Sequence, residues 1–413
     1  MAPPTAAPHP CLTEIDLQPV LGLLSIVRLP AAEIPALIVK THADPDPAQL
    51  CMQMFYVLLA LDQNQFALEM QARALQQRPL YRIAGPVAPV IRLLALMGPG
   101  NMMDNTPFEF LIENSDIRLD LLFLEAGQAL PDTLPDHDVT IVAVGESDKN
   151  TPLLAHLSTL LAYWPRPVLN DPLHILHCAR NTSYQLLSDI PGLLIPLTQR
   201  LPREQVGQTK FPITIRPMDT HGGIGMAKLD SVVELDAYCA LHPASEYFVA
   251  DYVDYRSPDG LFRKLRIALI DGQPYICHLA ISDHWMVHYH SANMELSEQK
   301  RDEEAELMDN FDQGFAIQHG PALKAIAERL GLDYVILDCA QTHDGRLLLF
   351  EVDSRAWIHA TDSLVLFPRK PHVMQKAFDA FRTLLLDRIG GIHANNTGNV
   401  TSTRVIESDR RQC

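Results

Sequence analysis

Residues 333–355 read DYVILDCAQTHDGRLLLFEVDSR, and few folds accept such a stretch. Two aliphatic runs flank Thr342-His343-Asp344-Gly345. The Asp-Gly pair signals a hairpin, because glycine adopts the positive φ that tight turns need. Each run also carries acids: Asp338 on the first, Glu351 and Asp353 on the second. With an even loop, Glu351 stands opposite Ile336 and Asp353 opposite Tyr334, and strand alternation puts all three acids on one face. An odd loop splits them. Carboxylates sharing a face repel unless a cation lies between them, and an all-oxygen cluster suits Mg²⁺, usually shared with nucleotide phosphates. The competing reading is an edge strand with solvated acids.

The chain of 413 residues has room for two or three domains, and 47% hydrophobic with 20% charged residues describes an ordinary globular protein. Its net charge of −17 argues against a general nucleic-acid binder. The 7 cysteines are dispersed without a CxxC pair, which fits reduced, mostly buried thiols in the cytoplasm. No apolar run reaches membrane-spanning length, and MAPPTAAPHP lacks the features of a secretory signal. The expectation is a cytoplasmic protein without membrane or nucleic-acid partners.

Within residues 47–78, Leu50, Met54, Val57 and Leu61, then Phe66, Met70 and Ala74, recur at helical spacing. They predict an antiparallel helix pair that serves packing or dimerisation. Strands and helices alternate over 89–201, as in a small parallel α/β domain. Gly98 and Gly100 follow a strand there without forming GxGxxG. Residues 202–210 read as a linker.

A second chemical stretch follows, FPITIRPMDTHGGIGMA. A strand ends on Arg216-Pro217, and His221-Gly222-Gly223-Ile224-Gly225 makes a flexible turn whose backbone N–H groups suit phosphate oxygens. The GK[ST] ending of a P-loop is absent. In FRKLRIALI, Lys264 and Arg266 share a face, either clamping phosphate or forming a charged edge. Among the histidines of 275–290, His284 and His288 are candidate substrate contacts, since no HExxH spacing favours a transition metal. The charged run 295–312 reads as a solvated helix or mobile loop. A helix over 319–331 stops at Gly331, and another spans about 372–388.

From about 90 to 388, the order of these elements resembles the ATP-grasp superfamily, with its glutathione-synthetase-like nucleotide fold. Asn170-Asp171-Pro172 followed by Arg180 resembles the segment that opens the first nucleotide-binding lobe, where a basic residue contacts phosphate. Ile215-Arg216-Pro217 and the glycine loop are similar to the family's lysine-proline strand and phosphate loop, with Arg216 in place of lysine. Tyr247–Val253 resembles the adenine hinge, which assigns Asp251, Tyr252 and Val253 to ATP together with Lys264. Arg266 matches an arginine that touches phosphate or the acyl phosphate. Asp338, Glu351 and Asp353 match the metal-binding acids, and Arg355 follows as in E-x-N-x-R, with Asp353 in place of asparagine. The helix pair and the RP…HGG loop resemble a bacterial subgroup fused to tetratricopeptide repeats.

The resemblance implies an α/β (α+β) fold in four parts. These are an N-terminal extension with the helix pair (1–85), a parallel α/β pre-domain (86–202), two nucleotide-binding and catalytic lobes (203–389), and a disordered tail (390–413). It implies ATP and Mg²⁺, and an ADP-forming ligase that joins a small-molecule or peptide carboxylate to an amine or thiol. Arg266 and Arg355 then serve catalysis, with Arg355 orienting the substrate carboxylate. A homodimer is compatible with this. A phosphotransferase on the same fold, and a silent nucleotide-binding scaffold that works through its helical region, are the alternatives.

Overall fold

Continuous aliphatic runs form the strands, and the computed structural model gathers them mainly into three sheets within a mixed α/β fold. It describes residues 10–220 and 222–400, apart from the side chains of His290 and of 392–400.

The first sheet runs in the order Pro19–Val20, Leu80–Ile83, Ile117–Phe123, Ile91–Met97, Val139–Val142, Val168–Leu169. Leu80–Ile83 lies antiparallel to Ile117–Phe123; the other pairs are parallel. Leu93, Leu94 and Ala95 in its middle are fully buried, as expected of a parallel sheet covered on both faces. Two of its strands come from the segment expected to stand apart as an N-terminal extension. The helix pair, Pro47–Ala60 and Asn64–Leu75, shares the sheet's core: Met52, Phe55 and Val57 lie in one apolar cluster with Ile91 and Leu93. A lone helix pair has too little apolar surface to bury by itself, so it closes this sheet. Asp46 caps the first of the two helices through the N–H groups of Ala48 and Gln49.

The second sheet is antiparallel: Thr198–Pro202, Glu246–Asp251, Ile213–Pro217, Ala227–Leu229. Helix Val232–Leu241 covers it over a small core of Ile213, Ile215, Leu235 and Val249. The expected linker contains a helical turn, Arg203–Val206, because Val206 is drawn into that core.

The third sheet carries the acidic hairpin, in the order Gln273–Ser282, Phe262–Ile270, Tyr334–Gln341, Leu347–Asp353, Leu193–Leu194. The helix before the hairpin, Gly320–Leu330, ends on Gly331 at φ 65°, a conformation glycine adopts without strain. The last helix runs Lys370–Val400, past Gly390 where the sequence predicts a disordered tail; 401–413 lie outside the described residues. Its Phe381 is fully buried and stacks on Phe108 of the first layer at 5.7 Å and against Tyr334 of the hairpin at 5.9 Å. No helix among the described residues is long and apolar enough to cross a membrane.

Candidate active site

The hairpin loop spans 342–346, an odd length, which by itself would divide the acids between two faces. The pairs Cys339–Leu349 and Asp338–Glu351 show how this is avoided: Phe350 is the extra residue of a β-bulge. The bulge restores parity, and Asp338, Glu351 and Asp353 share one face. Their partners differ from the expected ones, with Glu351 opposite Asp338 and Asp353 opposite Ile336. The edge-strand reading is excluded for this hairpin. Its first strand lies inside the sheet, and Leu347, Leu348 and Leu349 are fully buried.

Arginine and lysine side chains balance these acids. Arg266 pairs with Asp338 across the neighbouring strand. Its Nε donates to Oδ1 at 2.8 Å and its Nη2 to Oδ2 at 3.0 Å, while Lys264 Nζ donates to Oδ2 at 2.9 Å. Lys264 and Arg266 therefore turn toward the acids and do not form a solvated edge. Burial alone would raise the Asp338 carboxyl, but the Arg266 and Lys264 charges prevail and hold it well below the usual carboxylate range.

Arg180 Nη2 donates to Glu351. Against the effect of burial, Arg180 and Arg216 keep the Glu351 carboxyl below its ordinary value. Asp353 accepts the Arg355 backbone N–H at 2.9 Å and lies 3.3 Å from Arg355 Nε. Its carboxyl is nonetheless raised, by burial with the Glu351 charge adding to it. Arg216 is buried, with Nε donating to Thr220 Oγ1 at 3.0 Å; burial and the Arg180 charge bring its guanidinium down to about 10.

These facts test the predicted metal set. Among the described residues, no three His, Cys, Asp or Glu side chains are grouped to hold a metal ion. Both Asp338 oxygens are engaged, so the three-acid cluster does not fit. Glu351 and Asp353 do fit, since Mg²⁺ typically takes one or two carboxylates and completes its shell with waters and phosphates.

All three sheets meet at one cleft, partly open to solvent. Glu146 and Asp148 reach it from the loop after Val139–Val142, beyond the carboxyl end of a parallel strand, where open α/β sheets bind ligands. Arg180 comes from the start of helix Arg180–Leu187, Asp219 and Thr220 from the turn after Ile213–Pro217, and Glu351, Asp353 and Arg355 from the hairpin. The sequence reading missed Glu146, Asp148 and Asp219. The available signal was Val-Gly-Glu-Ser directly after a buried strand. Burial, reinforced by the Asp353 and Asp219 charges and opposed by Arg355, pushes the Glu146 carboxyl to about 7.

Arg355 threads past Gly145, where an added Cβ would stand 2.2 Å from its Cδ. Gly145→Ala should therefore cost about 1–3 kcal/mol through overpacking, measured by denaturant unfolding. Unchanged stability would show that Arg355 is not held in this path.

Other predicted residues lie outside the cleft wall. Gly222, Gly223 and Gly225 adopt φ of 60°, 78° and 67°, but the first two pack toward the 286–288 segment, where a Cβ on Gly223 would lie 3.3 Å from Met286 Sδ and one on Gly222 3.9 Å from His288 Nε2, while a Cβ on Gly225 would stand 2.9 Å from Pro217 Cδ. His221 is outside the described residues. His284 is exposed, and its Nδ1 accepts the Met286 N–H at 3.2 Å. In the expected hinge, the Asp251 N–H goes to the Leu197 carbonyl and the Tyr252 N–H to the Pro212 carbonyl, each at 3.2 Å. Lys228 Nζ sits 4.8 Å over the Tyr252 ring, and Val253 is half-buried.

No family model matches the sequence, and neither does any curated protein. Among solved structures, the chain is similar to a RimK domain ATP-grasp protein from Sphaerobacter thermophilus, at 17% identity and a TM-score of 0.42, covering 70% of this chain and 99% of that one. It is also similar to D-alanine–D-alanine ligase from Bacillus anthracis complexed with ATP, at 15% identity and a TM-score of 0.44, covering 73% and 99%. VanG D-Ala:D-Ser ligase from Enterococcus faecalis gives 13% and 0.45, covering 71% and 99%.

Proposed function

We propose that the chain is an ATP-grasp ligase, which activates a substrate carboxylate as an acyl phosphate and joins it to an amine. The observation that carries this reading is the meeting of three sheets at one cleft, where Glu351 and Asp353 face Arg180 and Arg355 with Arg216 close by. Five carboxylates and two arginines line that cleft, so a triphosphate needs an added cation to enter. Glu351 and Asp353 would hold Mg²⁺, which when bound neutralises phosphate charge.

In this reading, Arg180 and Arg216 offset the remaining triphosphate charge and stabilise the transferring phosphoryl group. Arg266 lies outside the cleft lining and gives its guanidinium to Asp338 and the Trp357 carbonyl, so in this reading it fixes Asp338 and does not touch the acyl phosphate. The γ-phosphoryl group passes to a carboxylate oxygen and ADP leaves. The amine nitrogen then attacks the acyl carbon, phosphate departs, and the amine gives up its proton. In this reading the glycine loop, which here packs toward Met286 and His288, moves over the cleft and excludes water that would hydrolyse the intermediate. The helix pair keeps the chain near the subgroup fused to tetratricopeptide repeats, although here it is built into the first sheet's core.

A silent nucleotide-binding protein is the second reading, favoured by the engagement of Asp338 and Glu351 with the chain's own cations. Thermal unfolding with and without ATP and Mg²⁺ is the first test. Ligand at a hundredfold excess over Kd stabilises by about 2.7 kcal/mol, so Mg·ATP should raise the melting temperature clearly. No shift with any millimolar purine nucleotide would sink both readings. A shift without phosphate release, across carboxylate and amine panels, would leave the silent one.

A further inference from the structure

Side chains hold residues 18–24 from two sides. Gln49 Nε2 donates to the Gln18 and Pro19 carbonyls at 3.1 and 3.0 Å. Gln53 accepts the Leu21 N–H at 2.8 Å and donates to the Leu21 carbonyl at 3.0 Å. Further along, a carboxylate takes over. Glu109 accepts the Leu23 N–H at 3.0 Å and the Leu24 N–H at 3.1 Å, one on each oxygen. Of these three side chains only Glu109 ionises.

The setting of Glu109 suits the neutral acid. The residue is half-buried and lines a small apolar cavity with Ile83, Met97, Leu119 and Tyr56. Gly22 approaches so closely that an added Cβ would stand 2.0 Å from Glu109 Oε2. Helix Pro47–Ala60 packs against the segment without a charged residue; its titratable groups are Cys51 and Tyr56, and burial raises the Tyr56 phenol further. The strands that wall the cavity carry charges in ion pairs of their own, Arg82 and Arg118 with Asp120 and Arg92 with Asp138. Arg28 is paired with Glu113 at 2.6 Å. With no cation beside it, burial pushes the Glu109 carboxyl to about 7, against the two N–H groups that favour the charge.

The same segment reaches the loop that follows the hairpin. Arg28 Nη2 donates to the Ala360 carbonyl at 3.3 Å, and Phe110, next to Glu109, stacks on Trp357 at 5.1 Å. We propose that residues 22–28 brace the loop after Arg355, docked while Glu109 is protonated and loosened when it ionises. Docking raises the Glu109 carboxyl above its ordinary 4.5, so docking takes up a proton. Its advantage is full below the ordinary value and is lost as pH rises through about 7. Nothing in this brace requires a nucleotide. His359, next to Ala360, is the competing group, since histidine titrates in the same range.

The test is hydrogen exchange of the full chain from about pH 5 to about pH 8, read by mass spectrometry and corrected for the intrinsic rate at each pH. Protection of 22–28 should fall by about tenfold to a hundredfold over that range, and that of 356–360 should fall with it. Residues 18–21, held by the two glutamines, and strand Ile91–Met97 should keep theirs. Glu109→Gln cannot ionise and should abolish the dependence, whereas His359→Gln should leave it. Equal protection of 22–28 at both ends of the range would overturn the proposal. So would a dependence that survives Glu109→Gln or disappears with His359→Gln. A loss at 22–28 with 356–360 unchanged would also overturn it, because the segment would then brace nothing. If Glu109→Gln fails to fold, the wild-type profile and His359→Gln still decide.

Discussion

Glu351→Gln should slow nucleotide-dependent phosphate release by roughly a hundredfold to a thousandfold, the usual effect of removing one electrostatic contact to a transition state. The substitution keeps the side chain's shape and removes its charge. Arg180 then loses its ion-pair partner, and Arg216 loses the anion that offsets its burial. Glu351 is also one of two cleft carboxylates fit for Mg²⁺, so the Mg²⁺-dependent part of the ATP melting shift should disappear with the activity. The variant should fold, because the cleft is partly open to solvent and water can hydrate the freed arginine. Steady-state phosphate assays beside melting curves check this. A variant that retains both activity and the Mg²⁺-dependent shift would remove Glu351 from the metal assignment.

Phe381→Ala should destabilise the chain by about 3–5 kcal/mol, as for other large-to-small changes at closed sites. Phe381 is fully buried, and its ring stacks on Phe108 and meets Tyr334 edge-on, at 5.7 and 5.9 Å. It therefore ties the last helix to both the first layer and the acidic hairpin. Such contacts between aromatic rings add about 0.5–1.5 kcal/mol beyond area burial. Denaturant unfolding measures the loss directly. A change below about 1 kcal/mol would mean that the neighbouring rings collapse into the space, an outcome reserved for sites that relax well.

The hairpin was legible because strand alternation is a local property: Asp338, Glu351 and Asp353 had to share a face or be split by one step of register. Which of the two occurs was decided by Phe350, whose bulge corrects an odd loop. Nothing in FEVD announces a bulge, since bulging depends on how the second strand fits its neighbours. Lys264 and Arg266 were likewise legible as a pair on one face, and only the pairing of Arg266 with Asp338 told that they meet acids.

Glu146 and Asp219 show the opposite limit. Each sits in a loop without periodicity, and 73 positions of sequence separate them; the topology brings them together. The same holds for the N-terminal segment, whose helices were legible by their spacing and whose place in the first sheet's core was not. The sequence by itself determined most of the strands and helices, though neither the helical turn Arg203–Val206 nor the last helix's run past Gly390, and which charged residues share a face. Those properties follow from backbone geometry repeating every two or 3.6 residues. Tertiary structure alone decided the cleft and the pairing of its acids with arginines, because contacts between distant segments depend on how whole layers pack.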